Sequence, residues 1–344
     1  MMKKSLIALA VAGVVAAPAA FAETKISGSI SVMANSYDKN GDATADDTTH
    51  IEDGNTFINI KGSEDLGGGM SAFYSMDFGV DVSGHGAAAG PGQEDINGQN
   101  MIVGLGGSFG KVIAGSFDNP TKVMAGGYEL FGNQPGDRRA LLSVGYTDAR
   151  SDNVVAYLTP DFNGFSGAIA HFNPNVSETD AAGDDSTVVL KLQYANGPLS
   201  AGVAHYESEQ GADDEKALRV AFGYKMGDTK LNALWQDVDN VAGDATADSK
   251  GYLLGVAHTM GPITLKAQYT SFDSATANSD ASMTAVGVDY ALSKGTKVFA
   301  HYAKIDNQSA ATKSIGGWTG ADAQGTVTAG NDPSVFGVGI RHNF

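Results

Sequence analysis

The last ten residues of the chain alternate between apolar side chains and small or polar ones. Phe336, Val338 and Ile340 share one face of an extended segment, whereas Gly339 and Arg341 fall on the other. Because successive side chains of a strand point to opposite faces, this pattern predicts a strand with one apolar face. Similar alternation recurs along most of the chain, and no segment of helical period accompanies it. The apolar faces must therefore pack against a second sheet or contact lipid, and we predict lipid.

Turn signals divide the chain after residue 22 into sixteen predicted strands joined by alternating short and long connections. The strands are expected at 24–37, 55–64, 70–81, 98–106, 110–117, 151–159, 165–173, 186–196, 198–207, 215–226, 229–239, 249–260, 262–272, 281–293, 296–306 and 333–344. Their even number and their lengths suit tilted strands that cross a bilayer. We therefore predict an all-β fold: a 16-stranded antiparallel transmembrane β-barrel over residues 23–344.

The two faces of the predicted strands differ in polarity. In the strand at 262–272, for example, Leu265 and Tyr269 oppose Lys266 and Gln268. Polar side chains on one face of many strands indicate a water-filled interior. A soluble two-sheet sandwich or a β-repeat adhesin would show similar alternation, but the regular rhythm of short and long connections favours the membrane barrel.

Residues 1–22 have the three parts of a secretory signal peptide. Lys3 and Lys4 precede an apolar stretch at 6–16, and Ala20-Phe21-Ala22 provides an A-x-A cleavage site. No later segment approaches the roughly 20 consecutive apolar residues of a spanning helix. A mature chain that crosses a membrane would therefore need a closed barrel.

The amino-acid composition excludes some kinds of chemistry and some partners for this chain. The chain has no cysteine, which excludes disulfides and thiolate chemistry. Its formal net charge is −17 and becomes two units more negative when the signal lysines are removed. This acidity argues against nucleic acid as a partner, since phosphate binding needs basic surfaces, and it favours cations near the protein.

Four sequence features resemble the general diffusion porins of Gram-negative outer membranes, and they occur in that family's order. They are the turn at 61–69, the segment 103–110, the segment 160–166 and the terminal Phe344. The resemblance implies a homotrimer of barrels in the cell outer membrane that passes ions and small hydrophilic solutes passively, without a cofactor. It also implies contact with the lipid bilayer and lipopolysaccharide, and recognition of Phe344 by the barrel assembly machinery.

The resemblance further implies that the third long connection, at about 118–149, folds into the lumen as a constriction. Connections of this length are usually functional or disordered, and the alternative here is an ordinary surface loop. Leu141–Tyr146 alternates and could form a short extra strand. The candidate constriction residues are the charged side chains Asp118, Lys122, Glu129, Asp137, Arg138 and Arg139.

Porins of this kind usually carry a ladder of arginines on the wall opposite that loop. The corresponding positions here are Phe57, Gln99 and Arg150, of which only Arg150 is charged; Lys61 and the two loop arginines compensate in part. Rings of side-chain charge set the ion preference of a pore. With the acidic net charge, this depletion predicts a weakly cation-selective channel.

Other function classes receive little support. An outer-membrane phospholipase or protease would need a nucleophile motif such as G-x-S-x-G, which is absent. The acidic tract at 237–248 lacks EF-hand spacing, and the seven histidines lack metal-ligand spacing. We therefore predict no catalytic residue, no metal and no cofactor. A barrel enzyme and an adhesin or receptor barrel remain the alternatives.

Overall fold

A computed structural model describes residues 23–38, 48–83, 96–173, 186–209, 213–316 and 327–344. In these ranges the chain is mainly β-strand, and the strands form one sheet. The predicted signal peptide at 1–22 lies outside the described residues and remains a prediction.

Seventeen strand segments lie in the described part of the chain. They are β1 (Lys25–Asp38), β2 (Thr48–Asp53), β3 (Phe57–Gly67), β4 (Met70–Val80), β5 (Ile96–Gly107), β6 (Gly110–Asp118), β7 (Arg150–Leu158), β8 (Phe165–Phe172), β9 (Thr187–Asn196), β10 (Leu199–Ser208), β11 (Glu215–Met226), β12 (Thr229–Asp239), β13 (Ser249–Met260), β14 (Ile263–Ser274), β15 (Ala281–Ala291), β16 (Thr296–Asn307) and β17 (Ser334–Asn343). Short helices α1 (Pro120–Gly126) and α2 (Arg139–Leu142) lie between β6 and β7, and a 3₁₀ turn at Val241–Gly243 follows β12.

The sheet closes on itself through its first and last strands. Residues 29–38 of β1 pair antiparallel with residues 343–334 of β17. Beyond that register, the backbone amide of Gly28 donates to the Phe344 carbonyl at 2.9 Å, and the Phe344 amide donates to the Gly28 carbonyl at 3.1 Å. Among the described strands, closure leaves no free sheet edge, which is the condition for a sheet to span a membrane.

The seventeen segments occupy sixteen positions around the barrel, as predicted. Both β2 and β3 pair with β1, β2 along one half of its length and β3 along the other. At the break between them, the backbone amide of Gly54 donates to the Ser31 carbonyl at 2.8 Å, and the Thr56 amide donates to the Asp53 carboxylate at 2.9 Å. These bonds satisfy polar backbone groups where the ladder is interrupted, so the two segments act as one barrel strand.

Apolar side chains cover the outside of the barrel. On β14, Leu265 is 47% exposed and Tyr269 38% exposed, whereas Lys266 and Gln268 on the other face are buried. The same alternation continues on β17, where Val338 and other apolar residues are exposed. An apolar band of this kind is stable only against hydrocarbon, which confirms the predicted transmembrane barrel.

Two-residue turns join the strands at one end of the barrel. Gly197, Gly227 and Gly261 each begin such a turn with φ near +57° and with open space around them. Only glycine adopts this backbone conformation without strain, and it suits a tight hairpin. The short connections predicted at these positions are confirmed.

The strand boundaries differ from those predicted by a few residues, with two local corrections. Thr48–Asp53 forms β2, although the polar tract at 38–53 was expected to be a connection; its registered pairing with β1 stabilises the strand. The extra strand expected at Leu141–Tyr146 is wrong, because this region begins with α2 and continues as turns. The apolar residues Leu141 and Leu142 are buried in a cluster there instead of forming a ladder.

No helix in the described ranges is long and apolar enough to cross a bilayer.

Candidate functional site

The connection between β6 and β7, residues 119–149, packs closely against the barrel wall. It starts at α1, where the Asn119 side chain caps the helix by accepting from the Lys122 amide at 2.9 Å. A Cβ atom placed on Gly202 of β10 would lie 2.8 Å from Sδ of Met124. The next residue, Val203, is exposed with the outer apolar band. Because Gly202 has no side chain, it leaves room for α1 on the face of β10 opposite Val203.

Arg219 of β11 is the main polar attachment of this connection. Its fully buried guanidinium donates to the carbonyls of Leu142 and Thr147, both at 2.9 Å. It also donates to the Asp148 carboxylate at 2.5 Å and to Oε1 of Gln236 at 2.9 Å. One wall side chain thus satisfies several polar groups of a segment more than 70 residues away in sequence.

Asp148 balances two buried guanidinium groups. Besides Arg219, it accepts from Nη2 of Arg138 at 2.7 Å. Burial by itself would raise the pKa of Asp148, but the two neighbouring guanidinium groups hold that pKa well below its ordinary value. The carboxylate is therefore charged at any pH at which the barrel is expected to work, and the ion pair persists.

A second attachment comes from β14. The Leu130 amide donates to Oε1 of Gln268 at 2.9 Å, and Nε2 of Gln268 donates to the Gly136 carbonyl at 2.9 Å. Nζ of Lys266 donates to the Leu130 carbonyl at 3.2 Å and lies 4.5 Å from the centre of the Phe131 ring. These bonds fix the middle of the connection, between α1 and α2.

The candidate constriction residues at the start of the connection form one small network. Oδ1 of Asp118 lies 2.9 Å from Nζ of Lys122 and 3.0 Å from Nε of Arg150. The structure therefore brings the predicted wall residue Arg150 together with two predicted loop residues. Because the three charges are paired, their combined field is smaller than their number suggests.

The other candidate residues of the connection are also ion-paired. Asp137 binds Arg139 at 2.6 Å, and Glu129 lies 3.5 Å from Arg138. Burial, with the nearby Asp137 carboxylate, raises the pKa of Glu129 to about 8 against the opposing effect of the two arginines. Burial therefore opposes ionisation of the Glu129 carboxyl, whereas its pair with Arg138 favours the charged form.

The remaining predicted wall residues lie apart from this network. Phe57 begins β3 and pairs with Gly79 of β4. Lys61 is exposed further along β3, and Nε2 of Gln99 on β5 donates to Oδ1 of Asn55 at 3.1 Å. None of these three side chains forms a hydrogen bond or an ion pair with the described connection at 119–149.

Basic residues elsewhere on the inner face were missed as site residues by the sequence argument. Each is adjacent in its strand to an exposed apolar residue, as Lys266 is to Leu265 and Arg341 is to Ile340. The alternation of the strands already placed them on the polar face and could have identified them. They include Lys191, Lys225, Lys230, Lys266, Lys297 and Arg341.

Comparisons with known proteins agree with this architecture. Outer membrane porin protein 32 of Delftia acidovorans is 31% identical over 368 aligned positions that cover all of both chains. The major outer membrane protein P.IB of Neisseria meningitidis serogroup B is 26% identical, again over all of both chains.

Solved structures share the fold. An anion-selective porin from Comamonas acidovorans matches with a TM-score of 0.75 and 26% identity, covering 94% of this chain and 100% of that chain. OmpT of Vibrio cholerae, solved in a trimer form, matches with a TM-score of 0.68 and 16% identity, covering 94% and 99%. A family model for Gram-negative porins matches residues 7–310. The chain therefore belongs to the Gram-negative porin family, and its barrel is an outer-membrane channel.

Proposed function

We propose that this porin is a general diffusion channel, through which ions and small hydrophilic solutes pass without energy input. The observation that carries the proposal is the division of the barrel into an exposed apolar face and an opposite face with polar and charged side chains. A polar bore of a closed barrel holds water, and water carries solutes. An enzymatic role is not proposed, since the relatives are porins by name.

We also propose that residues 119–149 enter the lumen and narrow it. The support is that Gly202, Arg219 and Gln268, which contact this connection, alternate with the exposed apolar residues of their strands. On this proposal, the Asp118–Lys122–Arg150 network lies at the edge of the constriction.

The ion preference that we propose differs from the one expected from sequence. The predicted weak cation selectivity finds no support, and the similar porin of known structure is anion-selective by title. Lys191 and Lys230 are basic residues of the inner face that have no carboxylate partner among the described residues. In contrast, the candidate acidic residues of the connection are paired with basic side chains. Basic groups of the bore that lack a carboxylate partner attract anions, so we propose a weak preference for anions.

We further propose a homotrimer, supported by the trimer form of a structural neighbour. Lipopolysaccharide contact and recognition of Phe344 by the barrel assembly machinery remain proposals from the family resemblance. Phe344 is half-exposed at the end of the last strand, where a partner could reach its ring.

Purified protein in planar lipid bilayers under a KCl gradient tests the proposed function. We expect large, steady openings that occur in steps of three, and a reversal potential displaced toward the chloride equilibrium potential. Absence of conductance would reject the diffusion channel. A reversal potential displaced toward the potassium value would reject only the proposed anion preference.

A further inference from the structure

Two basic side chains lie directly opposite each other on the inner face of β16 and β17. Lys297 and Arg341 are cross-strand partners. Their strand neighbours Val298 and Ile340 are exposed on the outer face, so both basic groups point to the bore. Like charges at directly opposed positions of a sheet destabilise it unless a negative group compensates.

The compensation within the protein is incomplete. Asp289 of β15 is the carboxylate in direct contact with this cluster, and its two oxygens lie 2.6 Å from Nζ of Lys297 and 3.0 Å from Nζ of Lys266. One negative charge thus serves two ammonium groups. The Asp53 carboxylate acts on Arg341 electrostatically but is not directly bonded to it. Arg341 donates through Nη2 to the Gly54 carbonyl at 3.1 Å, but its Nε is buried without a hydrogen-bond partner.

The cluster lies between the connection at 119–149 and the end of the barrel with the short turns. Lys266 contacts Leu130 of that connection, while Lys297 is the second residue of β16. The Lys297 side chain is 33% exposed, so water reaches it. A solute that moves along the wall past the connection would meet these cations.

We infer that Lys297, Arg341 and Lys266 form a binding site for a small oxyanion carrying two negative charges. Charge-assisted bonds from an ammonium and a guanidinium are strong, and a planar guanidinium suits two oxygens of one ligand. A divalent oxyanion bridges Lys297 and Arg341 and accepts a hydrogen bond from the unpaired Nε of Arg341. A monovalent ion would compensate only part of the positive charge of the cluster. This site rests on the proposed anion preference, and it identifies small divalent oxyanions as the class of anion that the pore binds.

The test is a titration of the single-channel KCl conductance with inorganic sulfate, a compact dianion. Methanesulfonate is the matched probe, because it presents similar oxygens with one charge. We expect sulfate to lower the conductance at a concentration well below that needed for methanesulfonate. In Arg341→Gln and in Lys297→Gln, we expect the half-blocking sulfate concentration to rise about tenfold, which equals about 1.4 kcal/mol.

A gain-of-binding variant separates loss of the site from misfolding. Asp289→Asn removes the competing carboxylate, so sulfate should block at a lower concentration than in the wild type. Lys250→Gln is the control, since Lys250 is 60% exposed and pairs with Asp237 on the outer face, and it should leave the block unchanged.

Equal block by sulfate and methanesulfonate would overturn the site. An unchanged sulfate block in both Arg341→Gln and Asp289→Asn would also overturn it. The reversal potential in KCl alone reports the general preference separately. An anion-preferring channel without a sulfate-specific block would reject this site and leave the proposed function intact.

Discussion

At the scale of single residues, Arg219 decides how the connection at 119–149 is held. A fully buried arginine is stable only when its donors are satisfied and its charge is balanced. Asp148 balances that charge, while two carbonyls of the connection and Oε1 of Gln236 accept further hydrogen bonds from the guanidinium. Arg138 and Arg139, which were predicted to compensate in part for the missing wall arginines, are each paired with a carboxylate of the same connection.

We expect Asp148→Asn to loosen the connection, because the buried guanidinium of Arg219 would then have no ion-pair partner and Arg138 would keep only Glu129. Removing one member of a buried ion pair typically costs about 3–5 kcal/mol. The barrel strands should remain folded, while the open-channel current becomes noisier and the temperature at which the folded band disappears on gels falls. Single-channel recording and gel heat-modifiability measure the two effects.

The control for this prediction is Asp237→Asn on the outer face, which removes an exposed pair with Lys250 at 3.1 Å. Exposed pairs contribute only about 0–1 kcal/mol, so both measurements should stay near the wild type. Identical noise and identical heat stability in Asp148→Asn and Asp237→Asn would contradict the anchoring role of Asp148.

At the scale of elements, the polar connection and the small residues of the wall fit each other. Phe131 is completely buried, and a Cβ atom on Gly287 of β15 would lie 2.9 Å from its ring. Gly287, and Gly202 beside Met124, therefore leave space for the connection, which explains part of the high glycine content. The 45 glycines of the sequence do not by themselves show which of them serve turns and which leave space at the wall.

We expect Gly202→Val to displace α1, because its Cβ alone would come within 2.8 Å of Met124 Sδ. The displacement should change the single-channel conductance, and the barrel should still insert. Gly197→Ala is not a suitable control, since Gly197 has a positive φ. Val203→Leu changes the adjacent, exposed position and should leave the conductance unaltered. Wild-type conductance in Gly202→Val would show that α1 does not limit the passage.

At the scale of the whole molecule, closure depends on the two ends of the chain. Gly28 and Phe344 exchange two backbone hydrogen bonds beyond the last ladder pair. These bonds use backbone atoms, so they do not require the phenylalanine ring. The ring packs over Gly28, where an added Cβ would lie 2.7 Å from its Cζ, and it is still 51% exposed. The exposed part of the ring is available for the recognition that we propose.

We therefore expect Phe344→Ala to fold into detergent micelles or lipid vesicles in vitro nearly as well as the wild type. If the proposed recognition of the terminal ring holds, the same variant should accumulate much less in the outer membrane of cells. Quantifying folded protein by heat-modifiability in both settings separates the two roles. Equal loss in vitro and in cells would mean that the ring acts in closure itself.

The sequence by itself determined the strands, their faces and the short turns, because these depend on a period of two and on local backbone preferences. Ile263 through Tyr269 illustrates this, as its alternation predicts which side chains contact lipid. The turn signals added the sixteen strands, and four motifs along the chain added the resemblance to porins.

Only the tertiary structure decided which distant residues meet. The pairing of Arg219 with Asp148, the sharing of one barrel position by β2 and β3, and the opposition of Lys297 and Arg341 all depend on register between strands and on the path of one connection. Register and path are set by many simultaneous long-range contacts, and no local pattern encodes any one of them. For that reason the charge of the bore could not be read from three positions of an expected ladder.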